Sequence, residues 1–156
     1  MAFDNLENQL KKYAEAYTQK YKTKLISDGN EATGRLVNSI KPEMLENEFS
    51  ILANSYIEQI SEGRKVGRIP PSNEILEWAR AKKIRPENGP DNESNRKRMA
   101  FAIARSIGMH GMLSKLGFRG TKIIDNVYNS LSEQMGNDLF EAYRIDLEEQ
   151  LKEQIK

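Results

Sequence analysis

The sequence predicts an α+β fold in which a small antiparallel sheet packs against helices and long amphipathic helices form both ends of the chain. Three observations predict it: apolar residues recur at helical spacing near each terminus, two β-rich runs lie within residues 36–52, and turn-forming segments separate the elements. At 156 residues, 38% of them hydrophobic, the chain has room for one core. We expect a single domain with an N-terminal helix over 1–29, an α+β core with mobile loops over 30–121, and a C-terminal helical segment over 122–156.

The composition excludes several kinds of chemistry. The chain has no cysteine and one histidine, so it cannot form a disulfide, a thiolate or multi-histidine metal site, or a cysteine nucleophile. An all-carboxylate site for a hard cation stays open as an alternative. No serine, histidine and aspartate constellation can be argued, and we predict a protein that is not an enzyme and needs no cofactor. The polar start and the lack of a run of roughly 20 apolar residues predict a soluble protein made in the cytoplasm, without a membrane partner.

The first helix is predicted from its apolar stripe. Asp4 is placed to cap it and Gly29 to end it. The stripe follows a spacing of three and four residues: Phe3, Leu6, Leu10, Tyr13, Ala14, Tyr17, Tyr21 and Leu25.

Two short strands are predicted next. In LVNSI (36–40), Leu36, Asn38 and Ile40 alternate with the residues between them, and Pro42 closes the run, which is typical of a strand. EFSILA (48–53) has the aromatic and β-branched character of a second strand. The following NSYIEQISEG (54–63) fits either an irregular strand or a single helical turn.

The middle of the chain alternates loops and helices. GRKVGRIPP (63–71) is a predicted loop, after which Pro71 or Ser72 begins a helix that ends near Lys83. PENGPDNESN (86–95) is a second loop. A further helix is expected from Arg96, deeply buried through one face that Phe101 and Ala100 widen. The residues that mark this face are Met99, Ala102, Ile103, Ser106 and Ile107.

The last third of the chain is predicted as a glycine-rich loop and a long helix. Four glycines within 108–120 predict a flexible loop, with His110 exposed in it, and the lack of a Lys-Ser/Thr pair argues against a phosphate cradle. The apolar spacing from Ile123 to Ile155 predicts a long amphipathic helix, and Gly136 allows a break in it. Its last turns keep only a narrow apolar seam, which is typical of contact between helices.

Charge is divided along the chain. Residues 1–60 have a net charge of −2, residues 61–122 of +8, and residues 123–156 of −5. This division is expected when a chain pairs with copies of itself, or when one surface faces a polyanion. Ordinary folding within one monomer is the alternative.

Two basic clusters and one tryptophan are the candidate functional residues. The first cluster lies in the glycine-proline loop and predicts contact with a partner subunit or the DNA backbone, the alternative being a solvated loop. The second opens a predicted helix, where positive charge opposes the macrodipole, so a neighbour's carboxylates or a phosphate are expected nearby. Trp78 is predicted to be a core residue or an interface anchor. The clusters are Arg64, Lys65 and Arg68, and Arg96, Lys97 and Arg98.

Five motifs in fixed order resemble one protein family. They are Thr-Gly-x-Leu-x-x-Ser at Thr33, Gly34, Leu36 and Ser39; Tyr56 followed by Gly63 and Arg64; a proline-rich stretch; Ile75 and Trp78 in a helix; and Ala100, Phe101, Ile103, Ile107 and Gly111 in another. This order over residues 33–120 resembles the tail-component or neck family of tailed bacteriophages, and its wording is most similar to versions from crAss-like gut phages. Gly117, Phe118, Arg119 and Gly120 echo the family's next segment only loosely.

The resemblance implies that the chain is a structural protein of a virion. A member of this family would form a homo-oligomeric ring at the neck, joining portal or adaptor and tail proteins around the channel through which DNA leaves the head, with non-specific contact to channel DNA. The motif that matches residues 33–39 would open the first strand. A small nucleic-acid-binding regulator that uses the basic segment 61–122 is the alternative function.

Overall fold

The structure is a computed structural model that describes residues 3–30, 34–111 and 120–155. It confirms the α+β class, with long helices at both ends and a two-stranded antiparallel sheet. The elements are α1 (Asp4–Ser27), α2 (Arg35–Ser39), β1 (Lys41–Met44), β2 (Phe49–Leu52), α3 (Tyr56–Glu62), α4 (Ser72–Ala81), α5 (Glu93–His110) and α6 (Ile123–Gln154). They form two compact units: unit 1 comprises residues 1–27, 37–54 and 123–156, and unit 2 comprises residues 28–36 and 55–122.

Unit 1 is built on the antiparallel pair of α1 and α6. Three tyrosines of the predicted α1 stripe are buried against α6 and use their hydroxyls there. Tyr13 donates to Asp138 Oδ2 at 2.7 Å, Tyr17 to the carbonyl of Tyr128 at 3.2 Å, and Tyr21 to the carbonyl of Ile124 at 3.3 Å. Tyrosine suits this helix pair because its ring fills the apolar interface while its hydroxyl reaches a polar group.

Asp146 of α6 caps the beginning of α1. The first amides of a helix have no partner within the helix. Asp146 accepts from the backbone amides of Asn5 and Leu6 at 3.1 and 2.9 Å, and from the Asn5 side-chain amide at 2.8 Å. Its side chain is 2% exposed. Asp4, the predicted cap, is instead the first helical residue, and the carboxylate that takes the capping role comes from the other end of the chain.

The hairpin β1–β2 packs on α1. Lys41 pairs with Leu52 and Met44 with Phe49, and the Leu45 amide closes the turn on the carbonyl of Glu48 at 2.9 Å. The Phe49 ring lies 5.9 Å from that of Tyr17. The prediction of a second strand at 48–53 is confirmed.

The predicted first strand at 36–40 is wrong, because these residues form α2 and Ile40 at its end. Leu36 and Ile40 are both buried, at 7% and 0% exposure. Residues four positions apart share one face of a helix, and they also share one face of a strand, so burial of this pair fits either structure. The strand begins after this point and contains Pro42. In a two-stranded sheet each strand has an unpaired edge, so a proline without an amide hydrogen is tolerated. The family motif that should open a strand therefore lies on a helix, and Thr33 lies outside the described residues.

Unit 2 is a helical unit in which α4 packs against α5. Of the alternatives for 54–63, the structure has a helix, α3, of seven residues. α4 begins at Ser72 and ends at Ala81, close to the predicted bounds. The chain enters the last helix by pairing with the end of α3, since the amides of Thr121 and Lys122 donate to the carbonyls of Ile60 and Ser61, each at 2.9 Å. A Cβ on Gly120 would lie 2.2 Å from the Ser61 carbonyl oxygen, so this close approach requires glycine.

The predicted beginning of α5 is wrong, and of its predicted core face only Ala100 is buried, while Phe101 is 58% exposed. The helix begins at Glu93, where Asn92 caps it by accepting from the Asn95 amide at 2.9 Å. Its buried residues are Ala100, Ala104 and Gly108. Ala102 and Ser106 are exposed, and Met99, Ile103 and Ile107 are half-buried at the margin. At Gly108 the lack of a side chain lets the loop before α4 approach the α5 backbone, since a Cβ there would lie 2.6 Å from Ile69 Cγ1.

The long last helix is confirmed, and it has no break at Gly136. α6 has 32 residues and is about 48 Å long at 1.5 Å per residue. A Cβ on Gly136 would meet nothing within 4 Å. Since Asp146 lies opposite the beginning of α1, the last two turns of α6 continue beyond its partner helix.

Replacing Asp146 by alanine is expected to destabilise the protein by about 2 kcal/mol, because two backbone amides lose a charged acceptor in a buried site. Urea unfolding followed by circular dichroism measures this change. Glu149→Ala is the matched control, since Glu149 is exposed on the same helix. Equal stabilities for the two variants would contradict the capping role.

The contribution of Asp146 is expected to depend on pH. Burial raises the pKa of its carboxyl, but hydrogen bonds from Leu6 and Asn5 together lower the pKa below its ordinary value. The stabilisation is therefore full above the pKa of the unfolded chain, about 3.9, and is lost as the pH falls through the lower folded pKa. The difference in unfolding free energy between the wild type and Asp146→Asn should be constant near neutral pH and shrink below about pH 4. A difference that grows on acidification would contradict this sign.

Candidate interaction surfaces

The basic loop, residues 63–71, is held on the last turns of α5. The Gly67 amide donates to the carbonyl of Gly108 at 2.9 Å. A Cβ on Gly108 would lie 2.6 Å from Ile69 Cγ1 and 3.3 Å from the Gly67 carbonyl oxygen, so the loop rests directly on the helix backbone. This contact places the loop's side chains beside the C-terminal half of α5.

The three predicted basic residues of this loop have different surroundings. Arg64 is half-buried and donates to Gln59 Oε1 at 3.1 Å and to the carbonyl of Arg68 at 3.0 Å, which closes the loop. The side chains of Lys65 and Arg68 are exposed. Arg64 therefore shapes the loop, and Lys65 and Arg68 are the two that present their charges.

The second predicted cluster finds its negative groups within the chain. Arg96 binds Asp91 through two hydrogen bonds of 2.5 and 2.8 Å, and this pairing lowers the pKa of Asp91 and raises that of Arg96. Lys97 lies 3.7 Å from Glu93, which also pairs with Arg80 at 2.5 Å. The expectation of a carboxylate from a neighbour or a phosphate thus does not apply to Arg96 and Lys97. The sequence prediction missed this because it began the helix at Arg96.

Arg98, the third member, belongs to an exposed face of α5 that sequence reasoning did not find. Arg98, Phe101, Arg105 and Met109 lie within about 80° of one another around the helix, at 100° per residue. Phe101 and Met109 are 58% and 56% exposed. Arg98 and Arg105 are exposed and contact no carboxylate among the described residues. We call these four residues the α5 cationic face; the spacing of 98 and 105 by two turns could have revealed it.

α6 exposes an apolar face whose residues have the same spacing as those of the α5 cationic face. Phe140, Tyr143, Leu147 and Leu151 are 70%, 42%, 36% and 57% exposed, and Phe3 stacks on Tyr143 at 5.5 Å between ring centroids. We call these four the α6 apolar face. It includes the narrow seam that the sequence predicted to meet another helix.

Carboxylates border the α6 apolar face. Arg144 hydrogen-bonds both Glu141 and Glu148, so one guanidinium is shared by two carboxylates. Glu133, about two turns before Phe140, is exposed and contacts no cation among the described residues. These four charges sum to −2.

Charge divides between the two compact units. Unit 1 has 9 basic and 14 acidic residues, a net charge of −5. Unit 2 has 15 basic and 9 acidic residues, a net charge of +6. The segment charges of the sequence are thus gathered into two bodies of opposite sign.

The remaining candidates offer no reactive site. Trp78 is half-buried on α4, next to the buried Leu76 and Ala79, and His110 is the last residue of α5 and half-buried, not an exposed loop residue. Within the described ranges, no group of three or more acidic or histidine side chains is placed to hold a metal ion.

An open groove of about 370 Å³ in unit 1 is lined mostly by apolar side chains: Leu10, Tyr17, Tyr21, Asn47, Glu48, Phe49, Ile51, Tyr128, Met135 and Leu139.

Gly108→Ala is expected to detach the basic loop from α5, because the added methyl group overlaps Ile69. Limited trypsin digestion, with the cut sites mapped by mass spectrometry, should cleave faster after Lys65 and Arg68 in this variant. Gly136→Ala is the matched control, since its methyl group meets nothing and should stabilise α6 by about 0.5–1 kcal/mol. Unchanged cleavage in Gly108→Ala would show that the loop does not depend on this contact.

Known proteins give no independent assignment. Comparisons of the chain with protein-family models, with curated proteins and with solved structures find no match. Within the described residues, no helix combines the length and the apolar character needed to cross a membrane. The family resemblance therefore rests on the motifs quoted from the sequence, of which Gly117, Phe118 and Arg119 lie outside the described residues.

Proposed function

We propose that the chain is a structural subunit of a virion, a neck or head-to-tail connector protein that forms a ring with copies of itself around the DNA channel. The observation that carries the proposal is the division of charge into a unit of −5 and a unit of +6. A closed ring of identical subunits joins one surface of each subunit to a different surface of the next. Bodies of opposite sign on one chain favour this head-to-tail contact over a symmetric one, in which like would meet like.

The exposed apolar side chains support the same function. Large side chains on α5 and α6, among them Phe101, Met109, Phe140 and Leu151, are more than half exposed. Large apolar side chains exposed on one side of a helix are typical of an interaction site in a soluble protein. A ring subunit needs two such surfaces, and each unit has one. The portal or adaptor and the tail proteins are the further partners that the family resemblance implies.

Sequence-independent binding of nucleic acid is the second candidate. It is favoured by the α5 cationic face, where Arg98 and Arg105 contact no described carboxylate and an aromatic ring lies between them. Such a surface suits a phosphate backbone, and Phe101 would be available to stack on an unpaired base. The acidic unit 1 has no role in nucleic-acid binding. This second candidate function therefore explains less of the chain than the ring subunit does.

The proposed function predicts that the chain is a component of purified virus particles. Mass spectrometry of particles of the phage that encodes it should find it in several copies per particle, and antibody labelling in electron micrographs should place it at the head-to-tail junction. Finding it only in the infected cell, and finding that the purified protein binds duplex DNA with a steep salt dependence, would favour the nucleic-acid candidate.

A further inference from the structure

We infer that the α5 cationic face of one copy binds the α6 apolar face of a second copy, and that this contact is the head-to-tail interface of the proposed ring. The two faces have the same geometry. Their residues, 98, 101, 105 and 109 on α5 and 140, 143, 147 and 151 on α6, are spaced by three, four and four positions. Each face therefore spans about 16 Å along its helix and about 80° around it.

Their chemistry is complementary. Arg98 and Arg105 bring two guanidinium groups with no described carboxylate partner. Phe140 and Tyr143 offer aromatic rings on which a guanidinium stacks favourably. The aliphatic stems of the arginines, with Phe101 and Met109, would cover Leu147 and Leu151.

The carboxylates at the border of the α6 apolar face outnumber the cations that pair with them among the described residues. Glu141 and Glu148 share one guanidinium, that of Arg144, and Glu133 has none among the described residues. Two further arginines would balance the net charge of −2 found there. An isologous contact between two α6 faces would bring these carboxylates together, and one between two α5 faces would bring four arginines together.

A second copy accounts for both faces at once, and this selects it over other occupants. A nucleic acid would cover the α5 cationic face but would be repelled by the acidic border of α6. A contact of one helix on one helix is small, so a single pair should be weak and sensitive to salt. Closure of a ring, in which each copy uses both faces, then supplies the stability.

Two variants separate the faces. Arg98→Glu with Arg105→Glu disables the α5 cationic face, and Phe140→Lys with Leu151→Lys disables the α6 apolar face. All four positions are exposed, so the folded state should survive, which circular dichroism checks. Lys20→Glu with Lys41→Glu is the matched control for the α5 variant, since it changes the net charge by the same −4 at exposed positions outside both faces.

The test is the mass in solution, measured by light scattering at high protein concentration and low salt. The wild type and the control should self-associate, and each face variant alone should remain near the monomer mass of 17.9 kDa, its self-association weakened by at least about tenfold. An equimolar mixture of the two face variants should form a dimer and nothing larger, because each still has the face that the other lost.

Three outcomes would overturn the inference. The wild type could stay monomeric under these conditions, the mixture could fail to form a dimer, or the α5 variant could lose binding to a DNA duplex while self-associating like the wild type. The contact is tested on the purified protein and the proposed function on virus particles. A neck protein that uses other surfaces would therefore fail here and still be found in the particle.

Discussion

The antiparallel pairing of α1 with α6, fixed at one end by Asp146, is the contact on which unit 1 depends. Asp146 lies 140 residues along the chain from Leu6, whose amide it accepts, and the tyrosine contacts that follow join residues more than 100 positions apart. Contacts over such separations carry a large entropic cost of chain closure. Unit 1 therefore cannot form until the last helix is complete, whereas most of unit 2 comes from one continuous segment, 55–122.

This arrangement also explains why α1 leaves part of the α6 surface uncovered. α1 has 24 residues and α6 has 32, and their register is fixed where Asp146 meets the first turn of α1. The last two turns of α6 consequently have no α1 residues opposite them, and Leu151 and Ile155 are 57% and 84% exposed. An apolar spacing that continues past the end of its partner helix is costly to leave in water, which favours a use for it outside this unit.

The sequence predicted the elements whose signal is long and periodic, and it failed where the signal is short or the buried residues are small. The α1 stripe repeats over six turns, so a helix is the one structure that buries it. Leu36 to Ile40 spans five residues, and the same five letters fit a strand or a helix. In α5, the sequence predicts Ile103 and Ile107 in the core, but the buried residues are Ala100, Ala104 and Gly108. At Gly108 the loop before α4 comes too close for a larger side chain. The intrachain partners of Arg96 and Lys97 were missed for a related reason: a capped beginning at Asn92 adds Glu93 to the helix and brings Asp91 next to Arg96.

In α5 the buried residues are small, while two large apolar side chains of the same helix, Phe101 and Met109, are exposed. At 100° per residue, the side of α5 that holds Arg98, Phe101, Arg105 and Met109 lies about a quarter turn around the helix from the buried side that holds Ala100, Ala104 and Gly108. Ala102 and Ser106 are exposed as well, so small residues are not confined to the buried side of the helix. Burying the small residues and exposing the large ones costs hydrophobic stabilisation in the isolated chain. That cost is recovered when the exposed face binds a partner, which is the physical reason to expect that this helix is completed by a second molecule.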